Sequence, residues 1–86
     1  MRKFKFTVLS EEGTLFEDLV SKIVISTDKG EITVLKNHIP LITTISKGRL
    51  IIDNKDRYQI KEGILKIKQD ETILMVSEVQ KNKIKE

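Results

Sequence analysis

The single histidine of this chain is the side chain most capable of chemistry. His38 lies two residues before Pro40, the only proline. A catalytic base needs a nucleophile or a paired carboxylate nearby, and no such constellation surrounds His38 in the sequence. A zinc site would need more histidines or a cysteine, and the chain has one His and no Cys. We therefore expect no catalytic residue, no metal site and no cofactor. His38 is either a bend residue whose ring bonds a backbone group or an interface residue.

Glu31 is a second polar candidate, because it follows Gly30 at the predicted edge of a strand. One interpretation is a solvated charge that discourages another strand from pairing with the edge. The other is a contact residue, since a carboxylate can accept hydrogen bonds from Arg, Asn or Gln side chains of a partner. The residues alone leave both interpretations open.

Composition excludes several classes of protein. The chain has 86 residues, 38% hydrophobic and 34% charged, with a formal net charge of +3, which is typical of one small folded domain. No apolar run approaches the ~20 residues that span a bilayer, and Met1-Arg2-Lys3 does not lead into the apolar segment of a signal peptide. The lysines and arginines are scattered, and only Tyr58 would remain as a stacking aromatic, which argues against nucleic-acid binding.

The strand-forming residues predict an all-β domain. Alanine is absent, and Ile and Val dominate the apolar set. Alternation and turn residues predict strands at 4–8, 14–20, 23–25, 32–35, 41–45, 49–52, 58–61, 64–68 and 72–77, with turns that include Ser46-Lys47-Gly48. We expect a β-sandwich of two mostly antiparallel sheets over residues 1–80, followed by a polar tail at 81–86.

Two predicted strands are apolar on both faces of the pleat, at Leu50–Ile52 and at Ile73–Val76. Either the domain covers both faces itself or a partner covers one of them. The pattern favours the first interpretation by about two to one.

An ordered set of motifs resembles the epsilon subunit of F-type ATP synthases. The opening strand with Glu12-Gly13 and Phe16 is similar to the family's opening. Gly30-Glu31, His38-x-Pro40, Lys47-Gly48 and Gly63-Ile64-Leu65 follow in the family's order, so that the resemblance covers residues 4–79. The chain departs from the pattern at Thr33, at Lys36-Asn37 and at Ile39, although Asn37 still tolerates the left-handed conformation that the family's glycine supplies.

The resemblance implies a sandwich of about ten short strands and a non-catalytic rotor subunit that couples the gamma subunit to the c-ring. It implies two sets of contact residues: Ser26, Asp28, Glu31 and Thr33 for the c-ring, and Ser10, His38, Pro40 and Thr43 for gamma. It further implies a peripheral membrane protein on the cytoplasmic face of the bacterial cell membrane, with no small-molecule substrate and no nucleic-acid partner.

The family's C-terminal helical hairpin has no counterpart before Glu86. Either the chain is a naturally short epsilon, an interpretation that the native-looking Met1 favours, or it is the sandwich part of a longer epsilon. In both cases we expect neither ATP binding nor the hairpin's restraint of ATP hydrolysis. The alternative function is that of a small basic β-barrel that binds RNA or a protein partner.

Overall fold

The structure, a computed structural model, describes residues 2–81. Seven strands and no helix occur within that range. The strands are β1 (Phe4–Ser10), β2 (Gly13–Val20), β3 (Ile23–Thr27), β4 (Gly30–Val34), β5 (Leu41–Ile52), β6 (Asp56–Lys68) and β7 (Glu71–Lys81). The prediction of an all-β fold is confirmed.

The alternation of apolar and polar residues explains why these segments form strands. In β1, Phe4 and Phe6 are buried while Lys5 between them is exposed, because successive side chains of a strand point to opposite faces. Strand β6 repeats the pattern, with Ile60, Leu65 and Ile67 in the core. The buried apolar residues of the seven strands therefore meet on one side of the sheet.

The seven strands form one continuous sheet in the order β2-β1-β7-β6-β5-β3-β4. Only the β1–β7 pair is parallel. A straight strand with the 12 residues of β5 would be about 40 Å long, yet the longest dimension of the molecule is 30 Å. The long strands must therefore bend. The bend lies where the pairing of β5 with β6 skips Ser46 and Glu62, and where Glu62 has a φ of 49°.

The bend folds the sheet into two layers. The first layer contains β2 and β1 with the segments 71–76, 63–68 and 41–45; the second contains β3 and β4 with the segments 47–52, 56–61 and 78–81. A single core cluster lies between the layers. It includes Phe6, whose ring centroid is 5.9 Å from that of Phe16. The two-layer prediction is confirmed.

The predicted number of strands is wrong, and so is the turn at Ser46-Lys47-Gly48. Those three residues lie inside β5. Strands β5, β6 and β7 each contribute to both layers. The sequence signals that predicted two short strands therefore belong to the two halves of one bent strand. At the other end, β7 extends to Lys81, so residue 81, the first residue of the predicted polar tail, belongs to a strand. The rest of the predicted tail, 82–86, lies outside the described residues.

Candidate docking surfaces

The β3–β4 hairpin presents three of the four predicted ring-contact residues on one face. Ser26 lies directly opposite Glu31, and Thr33 lies opposite Val24. Their neighbours Ile23, Ile25 and Val34 point into the core, so residues of the opposite parity point outward. The ring face, as we name it, consists of Ser26, Glu31 and Thr33 on the outside of the second layer.

The turn that joins the two strands is held by its own side chains. The Thr27 hydroxyl donates to the Gly30 carbonyl at 2.7 Å and accepts from the Lys29 amide at 3.1 Å. Gly30 has a φ of 118°, a conformation that side-chain-bearing residues rarely adopt. The exposed Glu31 therefore follows a turn of defined shape.

Asp28, the fourth predicted ring-contact residue, is tied to the chain itself. Its Oδ1 accepts a hydrogen bond from the Ser46 amide at 2.8 Å, and its Oδ2 accepts from the Thr44 hydroxyl at 2.8 Å and from the Ser46 hydroxyl at 3.2 Å. The Asp28 amide also donates to the Thr44 carbonyl at 3.0 Å. The Ser46 amide, followed by the Thr44 hydroxyl, lowers the pKa of the Asp28 carboxyl below its ordinary value of 3.8. Asp28 thus joins the β3–β4 turn to β5 at the bend.

Gly48 allows β5 to pass close to the same hairpin. A Cβ atom at this position would lie 2.7 Å from the Ser26 carbonyl oxygen and 2.8 Å from the Ser26 Cβ. Any side chain would force the two strands apart. The glycine that resembled a turn signal in the sequence is therefore required for close approach of two backbones.

His38 lies in the turn that follows β4. Its amide donates to the Leu35 carbonyl at 3.1 Å, and Asn37 has a φ of 72°, so the predicted left-handed conformation of Asn37 is confirmed. The Nδ1 atom of His38 lies 2.7 Å from the Ile39 carbonyl, to which it donates a hydrogen bond. The ring therefore bonds a backbone group, as the first interpretation of this residue predicts. Ile39 and Pro40 next to it are exposed.

The predicted gamma-contact residues are dispersed. Ser10 lies at the β1–β2 hairpin, where its hydroxyl accepts from the Glu12 amide at 3.1 Å. Thr43 is only 7% exposed, and its hydroxyl has no hydrogen-bond partner among the described residues. The strand register sets Ser10 near the bend and His38 at the opposite end of the first layer. Since β7 and β6 lie between β1, which carries Ser10, and β5, which His38 precedes, the two residues do not form one site.

An apolar surface lies between these two corners, and the sequence motifs did not identify it. Met75 pairs with Ile64, and Ile73 pairs with Lys66, which in turn pairs with Ile42. Ile42 is 66%, Ile64 43% and Met75 41% exposed, while Ile73 is half-buried. We name Ile42, Ile64, Ile73 and Met75 the apolar face. Of the two double-sided strands, Leu50–Ile52 is largely covered by the domain, whereas Met75 is not.

Two other features are absent from residues 2–81. That range contains no group of three or more His, Cys, Asp or Glu side chains placed to hold a metal ion. The same range contains no helix that is long and apolar enough to cross a membrane.

Comparison with known proteins agrees with this architecture. The sequence profile of the ATP synthase delta/epsilon chain beta-sandwich domain matches residues 3–82. The ATP synthase epsilon chain of Sulfurihydrogenibium sp. is 34% identical over 80 residues, which cover 88% of this chain and 60% of the relative. The epsilon chain of Caldicellulosiruptor saccharolyticus is 31% identical over 83 residues, which cover 93% of this chain and 61% of the relative. The chain therefore spans about 60% of the length of these curated relatives.

Two solved structures share the fold. A chain in the Euglena gracilis mitochondrial ATP synthase matches with a TM-score of 0.84 at 20% identity, over 92% of this chain and 53% of that one. A chain in the Tetrahymena thermophila mitochondrial ATP synthase central stalk and c-ring matches with a TM-score of 0.78 at 11% identity, over 91% and 66%. Together with the profile match over residues 3–82, these findings show that the chain belongs to the ATP synthase epsilon chain family, as its beta-sandwich domain.

Proposed function

We propose that this chain is a non-catalytic rotor subunit of an F-type ATP synthase, which couples the gamma subunit to the c-ring during ion-driven ATP synthesis. The observation that carries the proposal is the presence of two surfaces of different chemistry on one two-layered domain. The ring face is polar, and the apolar face lies on the other layer. Membership of the epsilon family supports the assignment, as does the occurrence of the same fold in a central stalk and c-ring assembly.

The c-ring is the proposed partner of the ring face. Glu31 and Thr33 are exposed there, beside the half-buried Ser26, and their polar groups can exchange hydrogen bonds with polar loops of a ring. Asp28 serves this contact indirectly, because its carboxylate is occupied by Ser46 and Thr44. We assign Asp28 as the residue that positions the turn.

Gamma is the proposed partner of the first layer. The apolar face supplies the hydrophobic centre of the contact, and Ser10, His38 and Pro40 lie at its margins. Thr43 points into the core, so its neighbours on β5, Ile42 and Thr44, offer the surface at this position. An interface that transmits torque needs about 1,600 Å² of total buried area, and a broad sheet face can provide it.

The proposed location follows from the proposed partners. A chain bound to both a stalk and a membrane-embedded ring is peripheral to the membrane, which for a bacterial enzyme is at the cytoplasmic face. The chemistry of both faces fits protein partners, and no small-molecule substrate is part of the proposal.

An affinity pull-down from bacterial membranes tests the proposal. The tagged chain should recover the gamma and c subunits. Recovery of RNA or ribosomal proteins in place of these subunits would instead support the small basic β-barrel and would overturn the assignment. A variant with Ile64→Asp serves as the control, because it should retain the fold and lose gamma.

A further inference from the structure

A basic cavity lies at the end of the sandwich that is farthest from the bend. Its volume is about 710 Å³, within the range of about 300–1,000 Å³ that is usual for small-molecule sites. The cavity is lined by Arg2, Ser21, Lys22, Leu35, Lys36, Asp53, Asn54 and Lys55. It is remote from the β3–β4 turn, since Ile23 pairs with Ile52 at the opposite end of β3.

The floor of the cavity is built by hydrogen bonds between two connections. Asp53 Oδ1 accepts from the Ser21 amide at 2.8 Å and from the Lys22 amide at 3.0 Å, and the Asp53 amide donates to the Lys22 carbonyl at 2.9 Å. Asp53 and Asn54 have φ angles of 52° and 59°, and the Lys55 amide donates to the Ile52 carbonyl at 2.9 Å. These features define a tight hairpin turn joined to the β2–β3 connection, so Lys22 and Lys55 extend from a fixed base.

The charge of the cavity is strongly unbalanced. Four of its lining residues are cationic and one is acidic, and that carboxylate already accepts two backbone hydrogen bonds. Lys36 forms a long ion pair, in which its Nζ lies 3.8 Å from Asp70 Oδ1. Arg2, Lys22 and Lys55 make no ion pair with any other residue in the range 2–81. Like charges that surround a recess raise the local concentration of anions.

We propose that this cavity is a binding site for a small phosphate-bearing anion. Arg and Lys side chains form short, charge-assisted hydrogen bonds with phosphate oxygens, and the Asn54 amide group at the rim can donate to the same oxygens. A recess suits a compact anion better than a membrane surface, which attracts basic residues that project towards one plane. This site is independent of the ring face and of the apolar face.

Titration of the ¹⁵N-labelled 86-residue chain with sodium pyrophosphate tests the site. We expect saturable amide shifts at Ser21, Lys22, Asn54 and Lys55, and weaker binding as the ionic strength rises. The double variant with Lys22→Gln and Lys55→Gln should bind at least about tenfold more weakly. Parallel titrations with inorganic phosphate and with phosphatidylglycerol vesicles distinguish a soluble anion from a lipid headgroup.

The matched control is the double variant with Lys29→Gln and Lys66→Gln, which removes the same charge away from the cavity. It should bind pyrophosphate as the unmodified chain does. The proposal is overturned if both double variants lose affinity equally, if the shifts are spread over lysines throughout the chain without saturation, or if vesicles bind and the soluble anions do not. Unchanged spectra of the variants without ligand confirm that loss of binding is not loss of fold.

Discussion

The ring face and the apolar face differ in what holds them in place. The ring face lies on the β3–β4 hairpin at the margin of the sheet, where β4 pairs with β3 alone. The apolar face lies on β5, β6 and β7, whose central member, β6, pairs along its length with the other two. A hairpin at a sheet margin has few contacts that fix its position, whereas a central strand is fixed on both sides.

The marginal position of the β3–β4 hairpin explains why the hydrogen bonds of Asp28 matter. Its three accepted hydrogen bonds connect the marginal turn to Thr44 and Ser46 of the long strand β5. The apolar face requires no comparable tie. Backbone pairing of β3 with β5 and the Asp28 side chain together position the polar surface at the edge of the sheet, while the surface in the middle of the layer depends on the backbone ladder alone.

The largest expected effect follows from a charge on the apolar face. Ile64→Asp should weaken gamma binding about 30-fold or more, because burial of an Ile side chain contributes about 2 kcal/mol and the new carboxylate would be desolvated. Ring binding should be unchanged. Binding of the purified chain to gamma and to c-ring detergent complexes measures both affinities.

Leu35→Asp is the matched control for that variant. Leu35 is an exposed aliphatic residue, with 52% exposure against 43% for Ile64, but it lies outside the apolar face. It should leave gamma binding within about twofold. Equal losses in the two variants would show that the apolar face is not the gamma contact.

A smaller effect should follow from loss of the Asp28 tie. Asp28→Ala should weaken ring binding about five- to tenfold, since the turn must then be ordered during association, and should leave gamma binding unchanged. The Ser46 amide resonance should shift because it loses its acceptor. Asp18→Ala serves as the control, because it removes an exposed carboxylate that within residues 2–81 accepts one hydrogen bond, from the adjacent Leu19 amide. Normal ring affinity in Asp28→Ala would contradict the positioning role.

Glu31→Gln should have a modest effect on ring binding. Its side chain is exposed, and exposed charge contacts contribute about 0.2–1 kcal/mol, so a loss of about two- to fivefold is expected. The loss should diminish at high salt, because screening weakens the contact of the unmodified chain. A salt-independent loss would point to a hydrogen bond in place of a charge contact.

The smallest effect concerns stability against acid. The pKa of Asp28 is lower in the folded chain than its ordinary value of 3.8, so its ionised form stabilises the fold above that pH and the contribution is lost as the pH falls through the folded pKa. Thermal melts should show the unmodified chain to be more stable than Asp28→Asn near pH 7. The difference should begin to diminish as the pH falls below 3.8 and should be lost once the pH is below the folded pKa. A difference that stays constant while the Asp28 carboxyl is protonated would have another cause.

The sequence was sufficient for the class of fold and for the local conformation at one turn. Alternation predicted a strand at 4–8, which lies within β1, and Asn37 was predicted to tolerate the left-handed conformation that it adopts. The continuity of β5 was not predictable, because Ser46-Lys47-Gly48 has the composition of a turn. The glycine is instead required by the close approach of Ser26, a contact between residues far apart in the chain.

The candidate surfaces could be predicted only in part. The outward direction of Ser26, Glu31 and Thr33 follows from their alternation with buried residues. The inward bonds of Asp28 and the burial of Thr43 depend on which strands become neighbours, and local patterns do not contain that information. The apolar face was anticipated only at Ile73–Val76, one of the two segments apolar on both faces, because its other residues, Ile42 and Ile64, come from two further strands.

Site-specific photocrosslinking in the assembled enzyme tests the central claim most directly. A photoreactive residue at position 64 and another at position 31 would be introduced singly into the chain, which is then incorporated into an ATP synthase that lacks epsilon. We expect position 64 to crosslink to gamma and position 31 to crosslink to the c subunit. Crosslinks from both positions to the same subunit, or the reverse assignment, would contradict the claim that one domain joins two partners through these two surfaces.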